Sequence, residues 1–249
     1  MRKITLIVVA LLIASGFCFA QKTIKVKDVD LNDPQSIQTD VPRGAVYTFD
    51  EFTDGRVFFK NGASSSAKLN YNTLIEEMQF ITDKDEVLTV ANPDQVLYIK
   101  IGDKYFYHLR GNEFTELLVN ANVLLCVKRK TEVSRQKKDG AYGQSSATAA
   151  VDDVKRFSDN FMVLGGTIMK NYEFEDVRSN VTLRALDEFY VKKGDKMSKI
   201  TNKSTIIKAF PEYKNEINEY FEQTNVNLKN EQDLIKLVTH LSEQRMAKN

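Results

Sequence analysis

Asp28, Asp30 and Asn32 stand at alternate positions, the spacing with which oxygen ligands open a calcium-binding loop. The rest of such a loop does not follow. Its sixth position, which must turn sharply, is Asp33 instead of Gly, and its twelfth is Thr39 instead of the Glu that closes the coordination shell. A solvated acidic arm is the expectation here. Ser145, in Gly143-Gln144-Ser145-Ser146-Ala147, half-resembles a nucleophile elbow, but the final Gly is missing and the setting is polar instead of a strand leading into a helix. With two histidines, His108 and His240, a multi-histidine metal centre cannot be assembled. Cys126 and His108 have the types of a nucleophile and its base, yet a lone cysteine among apolar strand residues is more often inert. Gly165-Gly166 lacks the Lys-Thr or third Gly of a phosphate-cradling loop. The sequence therefore assigns no catalytic residue, metal or cofactor.

Other residues are suited to contact. Lys128, Arg129, Lys130, Arg135, Lys137 and Lys138 form the densest basic cluster, broken by Glu132 and followed by a polar stretch containing Tyr142. Lys128, Lys130, Arg135, Lys137, Lys138 and Tyr142 make a candidate contact surface for anionic lipid or lipopolysaccharide, since each basic group near a charged surface contributes about 1 kcal/mol. A solvated strand end is the plainer alternative. Tyr98, Tyr105, Tyr107 and Phe114 have rings that could stack on sugars or a partner, although core packing accounts for most strand aromatics and the chain has no Trp.

The start of the chain bounds the compartment. Arg2 and Lys3, an apolar run from Ile4 to Ala14 and the Cys18-Phe19-Ala20 end have the three parts of a secretory signal peptide, with the mature chain expected from Gln21. A permanent span needs roughly 20 apolar residues, so no transmembrane helix is expected after cleavage. A lipid anchor on Cys18 is disfavoured by the bulky Phe17 before it. Loss of Arg2 and Lys3 leaves 33 basic against 34 acidic residues, a near-neutral chain that gives no electrostatic reason to expect nucleic acid. Cys126 is then the only cysteine, so no internal disulfide can form and a core must supply the stability.

These residues need a scaffold. Residues 21–44 carry few large apolar groups and read as an extended arm. Residues 45–130 have short runs of Val, Ile, Phe and Tyr punctuated by Asp54-Gly55, Asn61-Gly62, Gly102-Asp103 and Gly111-Asn112, which predicts an antiparallel β meander, barrel-like or curved. Alternation puts Leu97, Ile99 and Ile101 toward a core and Val96, Tyr98 and Lys100 away. Val123, Leu125 and Val127 likewise point inward and Cys126 outward. Residues 131–153 turn small and polar, as a flexible loop. Residues 154–202 hold further strands, with a hairpin at Gly194-Asp195. In residues 203–249 the period becomes helical: Pro211 opens a helix with Tyr213, Ile217, Tyr220 and Phe221 on one face, and Asn230 caps another carrying Leu234, Leu237, Val238 and Leu241. The fold class is α+β, with C-terminal amphipathic helices packed on the sheet.

Gly55-Arg56-Val57-Phe58-Phe59-Lys60-Asn61-Gly62, Ala67-Lys68-Leu69-Asn70-Tyr71-Asn72 and Glu77-Met78-Gln79-Phe80 resemble a recurring region of uncharacterised exported proteins of gram-negative bacteria. Gly140-Ala141-Tyr142-Gly143, Phe210-Pro211 and Asn230 through Lys236 are similar to the same group. The resemblance implies a periplasmic or outer-envelope protein and carries no activity. The functional expectation is a noncatalytic binding or interaction module for an envelope protein or glycan, with contact to a membrane surface left open. The alternative is an envelope hydrolase using Ser145.

Overall fold

The computed structural model describes residues 23–30, 40–121, 123–135, 161–164, 167–170 and 178–246. The expected signal peptide with Cys18 and Gln21, most of the polar loop with Lys137, Lys138, Tyr142 and Ser145, and Gly165-Gly166 lie outside these residues.

The strands are β1 (Thr23–Asp30), β2 (Thr53–Phe59), β3 (Ser64–Asn72), β4 (Glu77–Ile81), β5 (Val87–Thr89), β6 (Val96–Ile101), β7 (Lys104–Arg110), β8 (Glu113–Asn120), β9 (Leu124–Arg135), β10 (Phe161–Leu164), β11 (Thr167–Lys170), β12 (Arg178–Lys193) and β13 (Lys196–Lys199). The helices are α1 (Arg43–Val46), α2 (Lys203–Ala209), α3 (Lys214–Gln223) and α4 (Glu231–Met246). One sheet runs in the order β1-β12-β9-β8-β7-β6-β2-β3-β4-β5, with β13 also on β12, and it curls into a half-barrel. Every pairing in it is antiparallel. The fold is thus the expected α+β type. Among the described residues no helix is long and apolar enough to cross a membrane.

Local chemistry explains the hairpins. Gly62, Gly102, Gly111 and Gly194 take φ between +51° and +86° at the expected turns, a region that costs a residue without Cβ little. Asp54-Gly55 does not turn. Gly55 lies inside β2, where a Cβ would sit 2.7 Å from the Lys100 carbonyl oxygen and 2.8 Å from Leu69 Cδ1, so glycine there admits close packing instead of a bend. Nor is the order of strands a simple meander, because the chain leaves β5 and returns β6 beside β2. The expected arm contains β1, which pairs with β12 from Thr23 to Asp30, and β9 continues five residues past the expected boundary to Arg135.

Directly opposed residues of an antiparallel pair share a face, so the register traces one core face across the sheet. Val57, Ile99, Ile101, Phe106 and Phe114 are buried on it with Leu69 and Tyr71. Farther along, Val123, Leu125, Val127, Phe189 and Val191 pack against Ile206, Ile217, Leu234, Leu237, Val238 and Leu241 of the helices. A third cluster joins Val41, Val46, Leu74 and Ile75 to Val133, Val181 and Leu183. Leu97 departs from the expected alternation. The register slips between Phe58 opposite Tyr98 and Phe59 opposite Val96, which leaves Leu97 in a bulge, 51% exposed, while Val96 turns inward.

Candidate binding surface

On β2, β6 and β7 the residues that alternate with the core set come together on the far face. Arg56 opposes Lys100 and Lys100 opposes Tyr105, while Phe58 opposes Tyr98. The Phe58 and Tyr98 rings stack with centroids 4.5 Å apart, and Tyr98 lies 6.0 Å from Tyr105 and 6.3 Å from Tyr107. Lys100 Nζ lies 5.5 Å from the Tyr105 ring and Lys192 Nζ, from β12, 5.2 Å from the Tyr107 ring, within cation–π range. All four rings are half-buried and Arg56 and Lys100 are exposed. Burial first, then the neighbouring Cys126 and tyrosines, pushes the Tyr107 phenol above its ordinary 10, so its hydroxyl stays protonated. Beside the rings an open groove of about 690 Å³ is lined by Asp54, Arg56, Phe58, Ser66, Lys68 and Lys100.

Three of the four aromatics singled out in the sequence, Tyr98, Tyr105 and Tyr107, belong to this surface. Phe114 does not, being 1% exposed on the core face. Phe58, Arg56 and Lys100 were not legible as site residues, because only the pairing of β2 with β6 brings them beside the tyrosines.

Two members of the basic cluster, Lys128 and Lys130, are buried instead of forming a contact surface. Lys128 is 1% and Lys130 7% exposed, so neither presents an amine to a partner or to bulk solvent. Lys128 bonds Glu76 and lies 2.9 Å from Glu113, and Lys130 lies 2.7 Å from Glu188. Arg129, on the other face, reaches Glu116 at 3.1 Å, Asp187 at 2.9 Å and Glu231 of α4 at 2.8 Å. Burial opposes its charge, but the three carboxylates more than offset this and raise its pKa. Burial also acts to raise Glu188, yet hydrogen bonds from Lys130 and Lys199 hold that carboxyl at about 2. Arg135 closes β9 opposite Val181.

The nucleophile and base considered in the sequence are separated. His108 opposes Phe114 on the core side, with its Nε2 2.9 Å from the Gly111 carbonyl oxygen, whereas Cys126 opposes Leu117 and Tyr190 on the far face. Cys126 faces away from the core as expected and is fully buried there, and burial pushes its thiol up to about 11. His240 packs its ring 4.9 Å from Tyr220 among the helices.

The class that fold and surface define is an α+β protein with a curled antiparallel sheet, presenting aromatic rings and cations on the far face. Compared with protein families, characterised proteins and solved structures, the chain matches none.

Proposed function

We propose that the protein is an exported envelope component, akin to uncharacterised exported proteins of gram-negative bacteria, and that it works as a noncatalytic binding module through the far face of β2, β6 and β7. The observation that carries this reading is the contiguous set Phe58, Tyr98, Tyr105 and Tyr107, whose rings touch one another outside the three buried core clusters. Half-buried tyrosines offer large contact area at low entropic cost and keep a hydroxyl for hydrogen bonding. Arg56 and Lys100 supply charge at the rim. Export follows from the Arg2-Lys3 start, the apolar run and the Ala20-Gln21 junction.

Expression of the whole chain in a gram-negative host, followed by fractionation, tests both parts. The exported protein is expected to begin at Gln21 and to sediment with the envelope. A Tyr98→Ala/Tyr107→Ala variant, with its fold checked by circular dichroism, is expected to begin at the same residue but to move largely into the soluble fraction. Intact Met1 in the cytoplasm contradicts the export reading. Undiminished envelope retention of the variant contradicts the surface.

A further inference from the structure

Resting on that reading of the far face, we propose that its ligand is a polysaccharide bearing carboxylate groups. Two rows of side chains cross the sheet there. One runs Ser66, Arg56, Lys100, Tyr105 and the next runs Ser64, Phe58, Tyr98, with Tyr107 beside it. Strands lie about 4.8 Å apart, so four strands present roughly 14 Å of surface, a row with two adjacent cations running beside a row of rings, the length of a short oligosaccharide. Tyr98 and Tyr105 supply apolar faces for the C–H side of sugar rings, and their hydroxyls can bond sugar hydroxyls. The guanidinium of Arg56 suits a carboxylate, which it can grip with two parallel bonds, while Lys68 and Lys100 act as point charges.

Charge favours an acidic chain over a neutral one. The groove is lined by Arg56, Lys68 and Lys100 against the single carboxylate of Asp54, which lies opposite Lys68 in register. This excess is local, because the whole chain carries 35 basic and 34 acidic residues. Nucleic acid binding draws its affinity from neutralising many phosphates, which three cations serve poorly. A lipid surface would meet phenol hydroxyls and an open groove here, with Leu97 the one large apolar side chain among the described residues that stands clear of the fold.

The purified chain from residue 21 is titrated by calorimetry with oligogalacturonate, its methyl ester, single-stranded DNA and phosphatidylglycerol vesicles. Binding to oligogalacturonate that weakens with salt is expected, with little binding to the ester. Arg56→Gln/Lys100→Gln, at exposed positions whose change leaves the core intact, is expected to weaken it about tenfold. Tyr98→Ala is expected to weaken it roughly fivefold. Equal binding of acid and ester, tighter binding to DNA or vesicles, no binding at all, or indifference to Arg56→Gln/Lys100→Gln overturns the proposal. If any of these occurs while Tyr98→Ala/Tyr107→Ala still loses envelope retention, the acidic ligand is wrong and the surface stands. If that variant is retained as well, both fall.

Discussion

At Lys128 an ammonium group is held at 1% exposure between Glu76 and Glu113, with the β3–β4 turn on one side and β8 on the other. Taking such a charge out of water is costly, and the pair returns that cost only while both signs are present. Lys128→Ala leaves Glu76, itself 5% exposed, without its counter-ion. The expected loss is about 3 to 5 kcal/mol in denaturant unfolding. A Lys128→Met/Glu76→Gln double variant is expected to recover much of it, because no unpaired charge then stays buried. A loss under about 1 kcal/mol for Lys128→Ala, the range of exposed pairs, would contradict the buried placement. Sequence could not show that Lys128 is buried, since a basic run looks the same whether its partners are water or the carboxylates of strands far along the chain. Glu76, Glu113 and Glu188 come from three separate hairpins, and only the register brings them to β9.

Gly55 shows the same limit for an element. Next to Asp54 it reads as a turn, because sequence neighbours report φ preference and not approach between strands. In the fold it lets β6 and Leu69 close over β2, with 2.7 Å between a would-be Cβ and the Lys100 carbonyl oxygen. Gly55→Ala must push β6 away or displace Leu69, and overpacking of this kind costs about 1 to 3 kcal/mol. Unfolding midpoints should fall accordingly, whereas the same change at a solvent-facing strand glycine would be neutral or better. No destabilisation at all would mean that β2 and β6 are not packed in this register. The C-terminal helices were easier. Leu234, Leu237, Val238 and Leu241 repeat at helical spacing and are all buried, and Asn230 accepts the Asp233 amide as a cap at 3.0 Å. Local signals suffice where the structure is local. The return of β6 to β2 has no local signal, nor does the bulge at Leu97, so both escaped the sequence.

Over the whole molecule, one face of a curled sheet is consumed by three apolar clusters and by helices, and charge pairs occupy β9 and its neighbours. Among the described residues, the far face around Phe58, Tyr98, Tyr105 and Tyr107 is left outside these clusters and pairs, with Arg56, Lys68 and Lys100 at its side. That the rings would be strand residues was legible from alternation; that they form one surface was not, since it depends on β2 lying next to β6. We propose that this surface makes the contact. Hydroxyl-radical footprinting of the mature chain, free and bound to purified envelope, measures it directly. Tyr98, Tyr105, Tyr107 and Phe58 are expected to lose reactivity together on binding while Tyr220 on the helices keeps its own. Protection centred on the helices, with the four rings as reactive bound as free, would contradict it.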